Sequence, residues 1–286
     1  MENNIIPFEK LNIIDDYMAN AAASDSVVGR DFARVLVEGL LQIKLGDNFQ
    51  VNIQRVIVGD SPLKRGIRMD IEVSEYESGA FATNPTNVYD IEPNKRKNLD
   101  VIKHNRFYQA KIDSRNLEVG EKEFARLPNL FVMMITNYDP FGYDYMLYTV
   151  RNQCVELPEL EYDDGLRFLY FNTTGTLGGS QELKQLLTYI EDSNLDNVAN
   201  DVIKKLHEYV CQVKESPEVR AGYMMWEEKI FYERLDAKVE GIAEERIRAI
   251  KKKLEKHKTI EQIADELEIT EEEVKECIEK IEKKEE

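Results

Sequence analysis

Two short acidic rows hold the residue types in this chain best suited to chemistry. Asp70 and Glu72 lie two apart in Ile67-Arg68-Met69-Asp70-Ile71-Glu72-Val73, and Asp90, Glu92 and Asn94 lie two apart in Val88-Tyr89-Asp90-Ile91-Glu92-Pro93-Asn94. Alternate residues of an extended segment share a face, so each row lines one side of a strand. A hairpin around the loop expected from Glu77 to Thr86 brings the rows together. Carboxylates at that range repel unless a positive charge lies between them. A hard divalent cation fills that role, and Mg²⁺ is commonly held by one or two carboxylates with water and phosphate around it. Such an ion polarises a phosphoryl oxygen and lowers the pKa of a bound water. The spacing alone also fits a plain hairpin with one solvated acidic face.

The elements that must position these acids are legible from periodicity. A helical pattern runs from Pro7 to about Leu45, with Val35, Leu36, Leu40 and Leu41 on one face, Asp31 near its start and Gly46 as its stop. The period then changes to two. Val51, Ile53, Val56 and Val58 mark a first strand with a register slip or bulge near Gln54. Ile67, Met69, Ile71 and Val73 mark a second strand, and Val88 to Asn94 a third. Asn98 to Asn116 returns to helical spacing, with Ile102, Phe107, Ala110 and Ile112 as its expected buried side. The unbroken apolar run Leu130 to Ile135 suits a strand buried on both faces. Met146 to Val150 and Arg167 to Asn172 add strands. Helices follow from Ser180, from Asp196 to Val213 and from Pro217 to about Lys256, and Thr259 to Lys280 reads as a helical hairpin with repeated N-cap signals.

The ordered set of segments resembles the PD-(D/E)xK nuclease superfamily. More narrowly, it is similar to the Rpn family of recombination-promoting nucleases, also described as PD-(D/E)xK nuclease family transposases. The residues that carry the likeness are Gly66 to Ile71, Val88 to Asn94, Arg106-Phe107-Tyr108-Gln109-Ala110-Lys111-Ile112-Asp113, Asn137-Tyr138-Asp139-Pro140-Phe141-Gly142, Tyr148 to Asn152, Phe168 to Gly175 and Tyr223-Met224-Met225. They span roughly residues 10 to 230. The resemblance implies an α/β fold with a restriction-endonuclease-like core of helix, three strands, helix and strand, followed by a helical C-terminal region. It implies a nuclease-like domain at 1–180, a helical extension at 181–258 and a helix-turn-helix-like accessory module at 259–286. By the same likeness Asp70 and Glu92 are ligands of Mg²⁺ or Mn²⁺, and Asn94 stands where the superfamily has lysine and relatives often have glutamine. Asparagine has no charge and a shorter reach. Glu38, Arg106, Tyr108 and Gln109 are candidate supporting residues. Arg106 suits phosphate because a guanidinium can engage two oxygens at once.

The activity so implied is metal-dependent endonucleolytic hydrolysis of DNA. The alternative is a nuclease-fold module that binds nucleic acid or protein without efficient cleavage. A third reading, a helical oligomerisation protein, rests on the C-terminal half, whose helices are candidates for self-association. Composition sets limits on all three. The 286 residues hold 38 Lys and Arg against 55 Asp and Glu, a net charge of −17. From Glu227 to Glu286 the balance is −6, which leaves −11 on the nuclease-like part. An acidic surface repels a polyanion, so DNA engagement is expected to be weak, salt-sensitive and cation-dependent. Arg246 to Lys258, with seven Lys or Arg in thirteen residues, is a basic run that fits either a nucleic-acid backbone or solvent.

Other features carry less. Cys154, Cys211 and Cys277 are widely spaced, and His104, His207 and His257 share no metal-ligand spacing. Leu177-Gly178-Gly179-Ser180 lacks the lysine of a phosphate-binding loop and reads as a turn with an N-cap. Glu271-Glu272-Glu273 would set acids against phosphate if the terminal hairpin read DNA. No leader-like segment and no apolar stretch of membrane-spanning length is found, so a reduced, cytoplasmic protein without a membrane partner is expected.

Overall fold

A computed structural model describes residues 6–57, 67–77, 84–97, 100–117 and 123–285. Val58 and the tip of the loop between Glu77 and Thr86 lie outside the described residues. The protein is α/β, with a six-stranded mixed sheet and a helical C-terminal region. In chain order the elements are α1 (Asp16–Ser24), α2 (Gly29–Leu41), β1 (Phe49–Ile57), β2 (Ile67–Glu75), β3 (Asn87–Asn94), α3 (Val101–Asn116), β4 (Asn129–Thr136), β5 (Leu147–Val150), β6 (Leu166–Asn172), α4 (Gln181–Glu191), α5 (Asp201–Glu215), α6 (Pro217–Leu254), α7 (Ile260–Leu267) and α8 (Glu271–Glu285). Short 3₁₀ turns precede α1, β4 and α5.

The single helix expected from Pro7 to Leu45 is two helices. Asp25 is extended at the break, and its Oδ1 accepts the N–H groups of Val27 and Val28, which starts α2 afresh. Gly29 is required there, because a Cβ would lie 2.3 Å from the Ala23 carbonyl oxygen. Helix α2 also stops at Leu41, five residues before Gly46, with Gln42 left-handed at its end. The helix expected from Asp196 is likewise delayed, since Asn200 supplies the cap by accepting from Ile203.

The strand order is β1-β2-β3-β4-β6-β5. Strands β1, β2 and β3 form an antiparallel meander, and β3 joins β4 in parallel through α3. Strand β4 lies between β3 and β6, both parallel to it, and Leu130 to Ile135 is accordingly apolar throughout. Val101, Asn105, Tyr108 and Ile112, spaced four, three and four apart, set the face α3 turns inward. Ile102, Phe107 and Ala110, expected on that face, are exposed. A helix placed on this sheet can bury only one narrow stripe, and Asn105 occupies part of it.

The chain divides into two compact units, Met1–Arg220 and Ala221–Glu286. The first extends past residue 180 to include α4 and α5, because Leu183, Leu186, Leu187, Leu206 and Val210 are buried where those helices meet α2. Gly39 marks the closest approach of α2, where a Cβ would stand 2.8 Å from Leu186. In the second unit the end of α6 packs on α7 and α8 through Ile250, Ile263, Ala264, Val274 and Cys277. Thr259 and Gln262 form a reciprocal capping box at the start of α7. The three cysteines are free thiols. Among the described residues no helix is long and apolar enough to cross a membrane.

Candidate functional site

Strands β2 and β3 place Asp70 and Glu92 side by side. The β2–β3 register pairs Ile71 with Ile91 and Glu72 with Asp90, so the next step sets Asp70 against Glu92. Instead of continuing the ladder there, the Asp70 N–H donates to Glu92 Oε1 at 3.0 Å. The two carboxyls lie close enough to act on each other's ionisation. This contact is what the two-residue spacing implied for that pair.

The pleat does not run regularly through this point. Gln54, cross-strand from Asp70 on β1, has a left-handed φ of 48°. The register is unbroken, with Ile53 against Ile71 on one side and Arg55 against Met69 on the other, so no slip occurs. Alternation is what changes. Asn52 and Arg55, three apart, both reach Glu72, which a regular strand forbids. On β2, Met69 packs with Ile112 of α3, and Glu72, three residues on, bonds Arg115 of the same helix. A break at Asp70 resolves both contacts, as bulges re-aim side chains near functional sites.

Asp70 and Glu72 therefore do not form one acidic row. Glu72 is fully buried and fully paired. Its Oε1 accepts from Asn52 at 3.1 Å, Arg55 at 2.8 Å and Ser74 at 3.1 Å, and its Oε2 accepts from Arg115 at 2.6 Å. Asp70 instead meets α1, where Asn20 Nδ2 stands 3.5 Å from Asp70 Oδ1 while bonding the Asp16 carbonyl at 2.8 Å. Burial, followed by the negative charge of Asp16, pushes the Asp70 carboxyl up to about 7. Asn20, Arg68 and Glu92 act in the opposite direction.

Two neighbours share that strain. Burial, then the charges of Asp90 and Asp70, drives Glu92 well above the usual carboxylate range. Burial, then Glu72 and Asp70, does the same to Asp90. Neither Asp90 oxygen has a hydrogen-bond partner among the described residues. Asn20 Oδ1 is buried without a partner as well. These hard oxygen donors, repelling one another and short of positive partners, fit a divalent cation. Among the described residues no group of three or more His, Cys, Asp or Glu side chains is placed to hold a metal ion. Two carboxylates with water or phosphate would then make up the shell, the arrangement usual for Mg²⁺.

The remaining expected residues fall in different places. Asn94 is buried at the end of β3; its Oδ1 accepts the Arg96 N–H at 2.7 Å and its Nδ2 has no partner among the described residues. Tyr108 is partly buried, donates to the Arg68 carbonyl at 3.0 Å and stacks on His104, so it braces β2 just before Asp70. Gln109 donates to Asp113 within α3. Arg106 is exposed on α3. Glu38 accepts from Leu45 N–H at 3.0 Å and Lys44 at 3.2 Å, which ties the end of α2 rather than approaching Asp70.

Sequence reasoning missed five residues around the acids: Asp16, Asn20, Arg68, Lys95 and Arg96. Arg68, Lys95 and Arg96 all lie close enough to Asp16 to oppose the rise that burial causes in its carboxyl. Lys95 bonds Asp15 at 2.8 Å, at the N-cap of α1. The one available signal was Lys95-Arg96 directly after Asn94, a pair of cations one and two places beyond the position expected to carry charge. No family model, curated protein or solved structure matches the chain.

The raised carboxyls have a consequence for stability. Between about pH 4 and pH 7 the folded chain holds on Asp70 a proton that the unfolded chain releases. Asp90 and Glu92 extend that window upward. Folded protein thus binds more protons, and stability falls as pH rises through the window. The melting temperature in chelator is expected to drop from pH 5 to pH 8. Mg²⁺ should restore most of the loss at pH 8 and little at pH 5. A flat or rising profile in chelator would contradict this assignment of the acids.

Proposed function

We propose that the chain is a divalent-metal-dependent DNA endonuclease of the PD-(D/E)xK type, related to the Rpn family of recombination-promoting nucleases. The observation that carries the reading is the hydrogen-bonded Asp70–Glu92 pair on adjacent strands, set at a break in the pleat with unsatisfied oxygens around it. Asp70 and Glu92 would hold Mg²⁺ or Mn²⁺, with Asn20 fixing the Asp70 carboxylate from α1. Bound there, the ion supplies Lewis acidity toward a phosphoryl oxygen and a water of lowered pKa. Asn94 Nδ2, a donor with no other buried partner among the described residues, orients water or a phosphate oxygen. Arg68, Lys95 and Arg96 give the rim the positive charge that the net charge of −17 withholds from the rest of the surface. Lys95 is the cation that most nearly takes the role of the superfamily lysine, though its ammonium is engaged by Asp15. Exchange of that partner for phosphate is part of the proposal.

Supercoiled plasmid incubated with the purified chain and Mg²⁺ or Mn²⁺ is the direct test. Nicked circles are expected, absent in chelator and declining between 50 and 200 mM salt, because each cation that meets a phosphate displaces a counterion that added salt puts back, and binding is weak to begin with. Folded protein that leaves the plasmid intact with either metal at low salt would overturn the cleavage reading. One observation favours the second reading, a binding module without turnover. Asn94 carries no charge, and its oxygen is already committed to the Arg96 N–H. Metal binding by calorimetry with no nicking would select that reading.

A further inference from the structure

Helix α6 carries an apolar seam that the described residues leave bare. Met225, Tyr232, Leu235, Val239 and Ile242 are between 45% and 72% exposed. Their spacing of seven, three, four and three follows a heptad, with Met225, Tyr232 and Val239 at one seam position and Leu235 and Ile242 at the other. From Phe231 to Glu245 every residue whose side chain is described is exposed. Farther along, Ile247, Ile250 and Leu254 turn onto α7 and α8, and ahead of the fully exposed stretch Tyr223 is buried, so among the described residues the bare part of the helix lies between two covered ones. A seam of this period fits one partner shape, another helix with the same repeat wound at a shallow left-handed angle.

We propose that α6 pairs antiparallel with α6 of a second copy of this chain, about a two-fold axis passing between positions 233 and 234. That register sets Tyr232 on Leu235 of the second copy and Met225 on its Ile242, each contact occurring twice. The flanking charges select it. Lys229 then faces Asp236 of the second copy on both sides of the axis, and Lys238 lies beside Phe231. Within one chain Lys229 pairs with Glu233 at 3.8 Å, and its side chain is largely exposed. A parallel pairing would align Glu228 with itself at a seam position; the antiparallel one sets it on Val239. The exposed seam side chains offer apolar surface on the order of 500 Å² per copy, which the charged side chains on either flank widen toward the roughly 800 Å² per partner of standard specific interfaces.

Sedimentation velocity on the full chain over a dilution series tests this arrangement. Wild-type protein is expected to sediment with the mass of two chains at micromolar concentration, and Leu235→Glu as one chain with unchanged helical circular dichroism. Lys229→Asp alone and Asp236→Lys alone should each weaken association at least tenfold. An equimolar mixture of those two variants should recover it, since every facing pair is then opposite in sign. Wild-type protein that stays a single chain at 100 μM would overturn the proposal. Association indifferent to Leu235→Glu, or single charge variants that fail to recover on mixing, would overturn it equally.

Discussion

Asp70→Asn is expected to abolish metal-dependent cleavage and to make the protein more stable at pH 8. The two effects share one cause. Asp70 is forced to ionise in a buried setting beside Asp16, which lifts it from 3.8 to about 7. Each unit of such a shift corresponds to about 1.4 kcal/mol, so relief of the charge is worth roughly 2–4 kcal/mol above neutral pH once relaxation and water entry are allowed for. An asparagine keeps the shape and the contact with Asn20, but cannot supply the negative oxygen that a hard cation requires. A loss of at least about a hundredfold in plasmid nicking is expected, on the scale of removing a main electrostatic group from a site. Gel assays beside thermal melts at pH 5 and pH 8 check both halves. A variant that still nicks at wild-type rate would remove Asp70 from the site. One that melts lower at pH 8 would contradict the electrostatic account independently of any activity.

Glu72→Ala is expected to do the reverse two residues away, at a cost of roughly 3–5 kcal/mol, because it leaves charged partners of a buried carboxylate without their counter-ion. Arg115 is itself mostly buried and bonds Glu72 at 2.6 Å, so its guanidinium is the group left worst placed. Arg55, Asn52 and Ser74 lose an acceptor at the same time. Since ordinary domains are stable by about 5–15 kcal/mol, that loss consumes much of the reserve. Urea unfolding followed by fluorescence and circular dichroism would measure it. Glu72→Gln should fall between the two, since the amide keeps an acceptor for one arginine. Stability within 1 kcal/mol of wild type for Glu72→Ala would show that β1, β2 and α3 do not depend on this network.

The strand pattern alone makes the sheet readable. Apolar alternation located β2 and β3 within a residue or two, and the unbroken Leu130 to Ile135 run located the central strand. The Asp70–Glu92 contact follows from the same period. Alternation misled at one place, where it grouped Asp70 with Glu72. A left-handed residue on the neighbouring strand decides that point, and Gln54 gives no compositional hint of it beyond an interrupted apolar rhythm. Glu38 and Gln109 were drawn in by the resemblance, yet each has a closer partner on its own helix or at its end. Asp16, Asn20 and Arg68 went unnoticed because their relevance is tertiary. Asn20 and Asp70 are fifty residues apart and meet only once α1 is laid on the sheet. The break between α1 and α2 was hidden by alanines at 21–23, whose helix propensity masks the turn at Asp25.

Strand β1 forms one border of the sheet, and a border strand presents backbone groups on its outer side that can pair with another extended chain. A flat border nine residues long would be a template on which another chain could add a strand and begin to aggregate. The left-handed Gln54 falls near its middle and bends it, and Arg55 beside it carries charge. A neighbouring chain can match the border on either side of that bend but not across it. The residue that turns Asp70 toward α1 therefore also shortens the stretch of sheet that can be copied, so solubility and site geometry depend on one backbone angle.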